Sequence, residues 1–129
     1  MMAIPSDLKA ARKLERKVLS EVSRCGYSEV CAFAIRLALE EALNNAIKHG
    51  NGLDPRKTVH VEYDINEEQA VFVITDEGCG FNPHAVPDPT ADENLEKPSG
   101  RGIMLMRAYM DVVQFNDCGN QVRMVKKRA

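Results

Sequence analysis

The spacing of apolar positions predicts two amphipathic helices in the first half of the chain. Apolar residues recur every three or four positions from Leu8 to Val22, with Ser6 or Asp7 in place to cap the helix. Ser28 can cap a second helix, which runs without a breaker from Glu29 to His49. We therefore expect two helices in succession, the second about six turns long.

The period changes after these helices from helical to alternating. Apolar and polar residues alternate up to Ile65 in the segment 59–65, which indicates a strand with one wet face. The segment 70–74 is a continuous apolar run, as expected of a central strand or one covered on both sides. A short polar connection, 66–69, joins them, so we expect an antiparallel hairpin.

A long irregular segment separates this hairpin from the C-terminal elements. Residues 76–102 are rich in Gly, Pro, Asp and Asn, and so long a loop in a compact domain usually serves a function. Helical spacing returns over 103–110, and two strands are expected at 112–115 and 121–125. The order predicts an α+β, two-layer α/β sandwich, with helices on one face of a mainly antiparallel mixed sheet.

Composition narrows the class of protein. A length of 129 residues suits one domain, and a net charge of −2 provides no basic surface for nucleic acid or an anionic membrane. No apolar stretch suits a membrane span or a signal peptide, so we expect a cytoplasmic protein. Cys25, Cys31, Cys79 and Cys118 lack zinc-site spacing, and we interpret them as reduced thiols.

A first candidate motif lies in the second half of the second helix, over Glu41–Gly50. At 3.6 residues per turn, Glu41, Asn45 and Lys48 share one face. A carboxylate there could orient or deprotonate a nucleophile, an amide oxygen could ligate a hard cation, and an ammonium could meet phosphate. Taken alone, the stripe also fits a helix emerging into solvent.

A second motif, Asp76-Glu77-Gly78-Cys79-Gly80-Phe81, directly follows the apolar strand. Alternation places Asp76 on the side of the preceding apolar residues, where its carboxylate needs a hydrogen-bond donor such as an adenine amino group. Gly78 and Gly80 would let the backbone approach a flat ring. The alternative is a glycine-bearing turn with an exposed aspartate.

A third motif, Ser99-Gly100-Arg101-Gly102-Ile103, precedes the last predicted helix. Consecutive backbone N–H groups at a helix N-terminus bind phosphate, and Arg101 could add charge-assisted hydrogen bonds. The alternative is an ordinary helix start capped by Ser99.

In this order and spacing, the three motifs resemble the N, G1 and G2 boxes of the Bergerat-fold (GHKL, or HATPase) ATPases, which include histidine kinases, gyrase and MutL. Within that superfamily, 41–50 and the run 100–111 are most similar to the anti-sigma-factor serine/threonine kinases. The resemblance extends from about Pro5 to Lys127. It implies a single ATP-binding kinase domain over residues 1–129, with an ATP lid at about 82–101.

The resemblance also implies a role for each motif residue. Glu41 matches the catalytic glutamate, the base or orienter for the attacking hydroxyl, and Asn45 matches the Mg²⁺ ligand. Asp76 matches the aspartate that reads adenine, with Gly78 and Gly80 as its companions. The positions that the resemblance assigns to ATP are Asn45, Lys48, His49, Asp76, Gly78, Gly80, Phe81, Ser99, Gly100, Arg101, Gly102 and Ile103.

The implied reaction is transfer of the ATP γ-phosphoryl group to a serine or threonine hydroxyl, with Mg²⁺ and the lid supplying positioning and charge neutralisation. In the family, the acceptor is a STAS-domain anti-anti-sigma protein, and the kinase alternatively sequesters a sigma factor, usually as a homodimer. Neither nucleic acid nor a membrane is an expected direct partner.

Two other functions stay open on the sequence alone. The chain could be a non-catalytic module that uses ATP only to regulate partner binding. It could also be a detached histidine-kinase ATPase domain, although none of His49, His60 and His84 lies in a convincing phosphoacceptor helix. Simple ATPases such as gyrase or MutL rank lower, because their transducer domains are not expected in this chain.

Overall fold

The computed structural model describes residues 2–54, 56–78 and 100–128, which form three helices, a short π-helical turn and five strands. In chain order these are β1 (Met2–Pro5), α1 (Leu8–Arg24), α2 (Glu29–Asn44), the π-helical turn (Asn45–Gly50), β2 (Thr58–Ile65), β3 (Gln69–Thr75), α3 (Gly100–Tyr109), β4 (Val112–Phe115) and β5 (Gln121–Lys127).

The five strands form one open sheet in the order β1-β2-β3-β5-β4. The predicted hairpin is confirmed, since β2 pairs antiparallel with β3, and β3 in turn lies at the centre of the sheet. All four pairings among the described strands are antiparallel, so the parallel component of the predicted mixed sheet is not found in this part of the chain.

The core lies between one face of this sheet and the helices. On β3, Ala70, Phe72 and Ile74 alternate with less buried residues, and register places Met124 and Val122 of β5 beside the last two. Side chains from all three helices join these residues in a single buried cluster. The predicted two-layer α/β sandwich is therefore confirmed. Each such large apolar side chain contributes about 1.5–3 kcal/mol on burial.

The helix boundaries follow from local capping. Asp7 caps α1 by accepting a hydrogen bond from the Lys9 N–H (2.9 Å), and Ser28 caps α2 in the same way. The left-handed conformation of Gly26, with φ of +84°, lies between the two helices. Asp7 is thus the cap, whereas Ser6 is buried and donates from its Oγ to the Lys57 carbonyl.

Two parts of the sequence prediction need correction. The N-terminal residues form strand β1, which was missed because four residues ending in a proline carry too little alternation. Helix α3 begins at Gly100 rather than Ile103, so the glycines of the third motif lie inside its first turn. Of the predicted lid at 82–101, only residues 100 and 101 are within the described ranges.

The second predicted helix changes its hydrogen bonding before it ends. From Asn45 to Gly50 the backbone is π-helical, and the Asn51 N–H bonds to the Ala46 carbonyl five residues earlier. A π-helix holds more residues per turn than an α-helix, so side chains beyond Asn45 are rotated from their α-helical directions. The spacing of 3.6 residues per turn that grouped Lys48 with Glu41 and Asn45 therefore does not apply beyond Asn45.

None of the helices in the described ranges is long and apolar enough to cross a membrane. Among the described cysteines, Cys25, Cys31 and Cys118 are free thiols that form no disulfide. Cys79 lies outside those ranges.

Candidate functional site

Two side chains of the second helix meet the first turn of α3. A Cβ atom built on Gly102 would lie 2.9 Å from Glu41 Oε2 and 3.4 Å from Asn45 Nδ2. The missing side chain of Gly102 therefore leaves room for the Glu41 carboxylate, which a Cβ atom would displace, and lets the Asn45 amide lie at ordinary contact distance. The first and third sequence motifs, about 60 residues apart in sequence, are in contact here.

Asn45 also opens onto a cleft between the helices and one end of the sheet. The π-helical turn, the end of β3, α3 and the β4–β5 hairpin all contribute to its walls. The lining residues are Ala42, Asn45, Ala46, His49, Gly50, Ile74, Asp76, Met106, Phe115, Gly119, Asn120, Gln121 and Val122. The floor is apolar, since Ile74 and Met106 belong to the buried core, and a few polar groups surround it. Such a combination is typical of sites for small molecules.

Asp76 is the carboxylate in this cleft, and it is half-buried at the end of β3. Its backbone N–H donates to the Asn120 carbonyl (2.9 Å), and its Oδ1 accepts from the Gly78 N–H (2.8 Å). Burial raises the pKa of Asp76, while the Gly78 hydrogen bond and the charge of Lys57 partly oppose that shift. A ligand N–H group could complete the hydrogen bonding of this carboxylate.

The Asp76 loop is packed directly against the end of the π-helical turn. A Cβ atom on Gly50 would collide with the Asp76 carboxyl group, and one on Gly78 would collide with the Gly50 carbonyl. Both positions therefore require glycine for a close approach of two backbone segments. As a result, the first and second sequence motifs are also joined.

Comparison with known families identifies the module that this geometry belongs to. Residues 4–126 match the model of the histidine kinase-like ATPase domain. The chain belongs to this family. Membership of an ATPase domain family implies ATP binding.

Among curated proteins, the ATPase domain is similar to an anti-sigma F factor of Clostridium beijerinckii, with 33% identity over 98 residues, covering 73% of this chain and 68% of that protein. It is also similar to the serine-protein kinase RsbW of Bacillus subtilis, with 31% identity over 122 residues, covering 86% of this chain and 74% of that protein.

Two solved structures share the fold. One is the crystal structure of the RsbU and RsbW domains of Rv1364c from Mycobacterium tuberculosis, with a TM-score of 0.60, 13% identity and 98% of this chain covered. This chain spans 31% of that one. The other is the mycobacterial sensor histidine kinase MprB, with a TM-score of 0.58, 16% identity, and 98% and 96% of the two chains covered.

Several of the predicted site residues lie together in the part of the ATPase domain that the structure describes. Asn45, His49 and Asp76 line one cleft, and Glu41 adjoins it through Asn45 and Gly102. Lys48 is exposed and is not among the described residues that line the cleft, and its role in binding ATP stays a prediction.

The third motif lies at the start of α3. Gly100 and Arg101 belong to its first turn, and the Ile103 side chain packs into the core, so the role predicted for Ile103 in binding ATP rests on its backbone N–H and stays a prediction. Gly80, Phe81 and Ser99 lie outside the described residues, and their roles in binding ATP stay predictions.

Sequence reasoning missed two asparagines at this site. Asn120 lines the cleft and donates from Nδ2 to the Asp76 carbonyl (3.3 Å). Asn51 is buried and accepts a hydrogen bond from the Glu77 N–H (2.7 Å). Both stand in turns, where asparagine is common, so the sequence offered no signal that separated them from ordinary turn residues.

Proposed function

We propose that this chain is an anti-sigma factor with ATP-dependent protein serine/threonine kinase activity. It phosphorylates a STAS-domain anti-anti-sigma protein and alternatively sequesters a sigma factor. The observation that carries the proposal is the convergence of the Glu41 carboxylate and the Asn45 amide on the first turn of α3, beside the cleft that holds Asp76. The names of two similar proteins, an anti-sigma F factor and a serine-protein kinase, support it.

The end of the cleft at Asp76 suits an adenine ring. The half-buried carboxylate is an acceptor for an exocyclic amino group, and the apolar floor at Ile74 and Met106 suits the ring itself. Gly50 and Gly78 allow the close approach of the two backbone segments that holds the Asp76 carboxylate at this end of the cleft. We assign adenine recognition to Asp76, with Gly78 holding its carboxylate in place.

The other end suits phosphates and a magnesium ion. Magnesium is held by few protein oxygens together with phosphate oxygens and water, and the Asn45 amide can supply such an oxygen. Within the described ranges there is no group of three or more His, Cys, Asp or Glu side chains that could hold the ion alone. When bound, Mg²⁺ would neutralise charge on the transferred phosphoryl group. His49 and the first-turn amides of α3 are the proposed phosphate contacts.

Glu41 is the proposed base or orienting group. Its carboxylate would accept the proton of the serine or threonine hydroxyl as the oxygen forms a bond to the γ-phosphorus and the bond from that phosphorus to ADP breaks. Its position beside Asn45 and Gly102 supports this role, because the three motif residues meet where the phosphates would lie.

Phosphorylation would provide the switch between partners. A phosphate group adds about −2 charge to the acceptor surface, which can break a protein interface or create a new one. We propose that the kinase acts as a homodimer, which light scattering of the purified protein tests directly.

The test is a phosphotransfer assay with purified protein, Mg²⁺, labelled ATP and the STAS-domain protein of the same organism. The Glu41→Ala and Glu41→Gln variants should bind ATP as tightly as wild type but transfer phosphate at least 100-fold more slowly, the range for loss of a general base. Calorimetry measures the binding, and label incorporation measures the transfer.

The outcomes separate the alternatives. Undiminished transfer by both Glu41 variants would contradict the assignment of that residue. A wild-type protein that binds ATP and a sigma factor without any transfer would favour the non-catalytic module. Incorporation of label onto a histidine of a partner would indicate a histidine-kinase function instead.

A further inference from the structure

Asn51 is a buried polar residue that follows the π-helical turn and makes three hydrogen bonds. Its side chain is only 2% exposed. Nδ2 donates to Ser6 Oγ (2.8 Å) and to the Thr58 carbonyl (2.9 Å), while Oδ1 accepts from the Glu77 N–H (2.7 Å). Both N–H donors and the carbonyl oxygen of the amide are thereby hydrogen-bonded, and the side chain connects the segments around Ser6, Thr58 and Glu77.

These hydrogen bonds form two arms with different targets. One arm points to the β1–α1 junction and the start of β2, where Ser6 Oγ also donates to the Lys57 carbonyl (2.9 Å). The other arm points to the residue directly after Asp76. The Glu77 carboxylate itself accepts from the Thr58 N–H, so residue 77 is held at both its backbone and its side chain.

The Glu77 arm bears directly on the orientation of Asp76. The Asp76 carboxylate accepts a hydrogen bond from the N–H of Gly78 (2.8 Å), the residue that follows Glu77. The same loop is in close contact with Gly50, the residue before Asn51, where any Cβ atom would collide with that carboxylate. Movement of the Glu77 backbone would therefore change both the direction of the carboxylate and its spacing from the π-helical turn.

We propose that Asn51 is a positioning residue for nucleotide recognition, which acts through the Glu77 N–H to hold the Asp76 carboxylate in its adenine-reading orientation. This proposal rests on the proposed role of Asp76. Asn51 is buried and is not among the residues that line the cleft, so in this proposal it acts through the loop rather than by contact with the ligand. Its Ser6 arm serves stability.

The test compares Asn51→Ala with Ser6→Ala, both titrated calorimetrically with adenosine, ATP and GTP. Asn51→Ala should lose about tenfold in affinity for adenosine and ATP alike, because the fault lies at the adenine end, and should discriminate less against GTP. Ser6→Ala leaves the Glu77 arm intact, so it should lose stability in denaturant but keep wild-type affinity. Asn51→Asp retains an acceptor for the Glu77 N–H and should bind adenosine more tightly than Asn51→Ala.

Wild-type adenosine affinity in folded Asn51→Ala would overturn the proposal. So would an equal loss in Ser6→Ala, which would make the effect one of general stability. If Asn51→Ala does not fold, the adenosine affinities of Asn51→Asp and Ser6→Ala decide. A tenfold loss of affinity in both variants contradicts a role specific to the Glu77 arm. Retained affinity in both variants supports that role. A wild-type protein that binds no adenosine would instead refute the proposed function.

Discussion

Replacing Gly102 with alanine would place a methyl group against the two side chains that the proposed reaction uses. The new Cβ would lie 2.9 Å from Glu41 Oε2, whereas ordinary contacts begin at 3.4 Å, so the carboxylate must retreat by about half an ångström. The nearest Asn45 atom, at 3.4 Å, can stay where it is. The substitution is therefore a small and directed displacement of Glu41.

The expected result is slower phosphotransfer without loss of stability. A misplacement of about 1 Å can cost roughly 100-fold in rate, so half of that corresponds to about tenfold in kcat. Glycine is less favourable than alanine in a helix by up to about 1 kcal/mol, and Gly102 lies in the first turn of α3. The free energy of unfolding should stay the same or rise, and ATP affinity should change little.

Gly52→Ala is the matched control. Gly52 has a φ of +61°, and a Cβ there would meet nothing within 4 Å. The Gly52→Ala variant should lose about 1–2 kcal/mol of its free energy of unfolding through backbone strain alone, and its phosphotransfer should stay intact. Initial-rate assays with labelled ATP and thermal unfolding of both variants give the two readouts. A Gly102→Ala protein that transfers phosphate at the wild-type rate would refute the placement of Glu41 in the reaction.

Two further predictions concern buried charge. Because burial raises the pKa of Asp76, the contribution of this carboxyl group to stability is present at low pH and is lost as the pH rises through that pKa. The Asp76→Asn variant should therefore be more stable than wild type at pH 7. It should bind adenosine about tenfold more weakly. Denaturant titration should show the stability gain shrinking as the pH falls towards 3.8, and no gain at pH 7 would contradict the sign. Arg12 donates to Glu15 Oε2 (2.7 Å), and Glu15 Oε1 is buried with no hydrogen-bond partner among the described residues. The Arg12→Ala substitution should therefore lower the free energy of unfolding by about 1–3 kcal/mol. Arg56→Ala, which removes a surface ion pair, is its control and should leave the unfolding curve unchanged.

Much of the fold could be predicted because it depends on local patterning. The amphipathic run from Leu8 sets α1, and the continuous apolar run around Phe72 places β3 at the centre of the sheet. A strand with a neighbour on each side is shielded even on its less buried face, which favours apolar residues at successive positions. Strand β1 is different, since its four residues are ordered by pairing with a strand more than fifty residues away.

The π-helical turn could not be predicted from periodicity. Its residues are compatible with an α-helix, and the change arises where the backbone shifts to bonds over five residues. Periodicity past Asn45 therefore does not place Lys48, whose role in binding ATP stays a prediction, while the contact of Glu41 and Asn45 with the third motif agrees with the grouping of the motifs. The roles of Asn51 and Asn120 depend on contacts between distant loops, which no spacing along the chain encodes.

The cleft is built from stretches near residues 42–50, 74–76, 106 and 115–122, so it exists only when all of them are assembled. An unfolded chain offers a nucleotide nothing comparable, and binding therefore draws the equilibrium towards the native state. At a ligand concentration 100 times the dissociation constant this linkage adds about 2.7 kcal/mol, a sizeable share of the stability of a small domain. In a cell rich in nucleotide, the occupied protein would resist unfolding and proteolysis far better than the same chain purified without ligand.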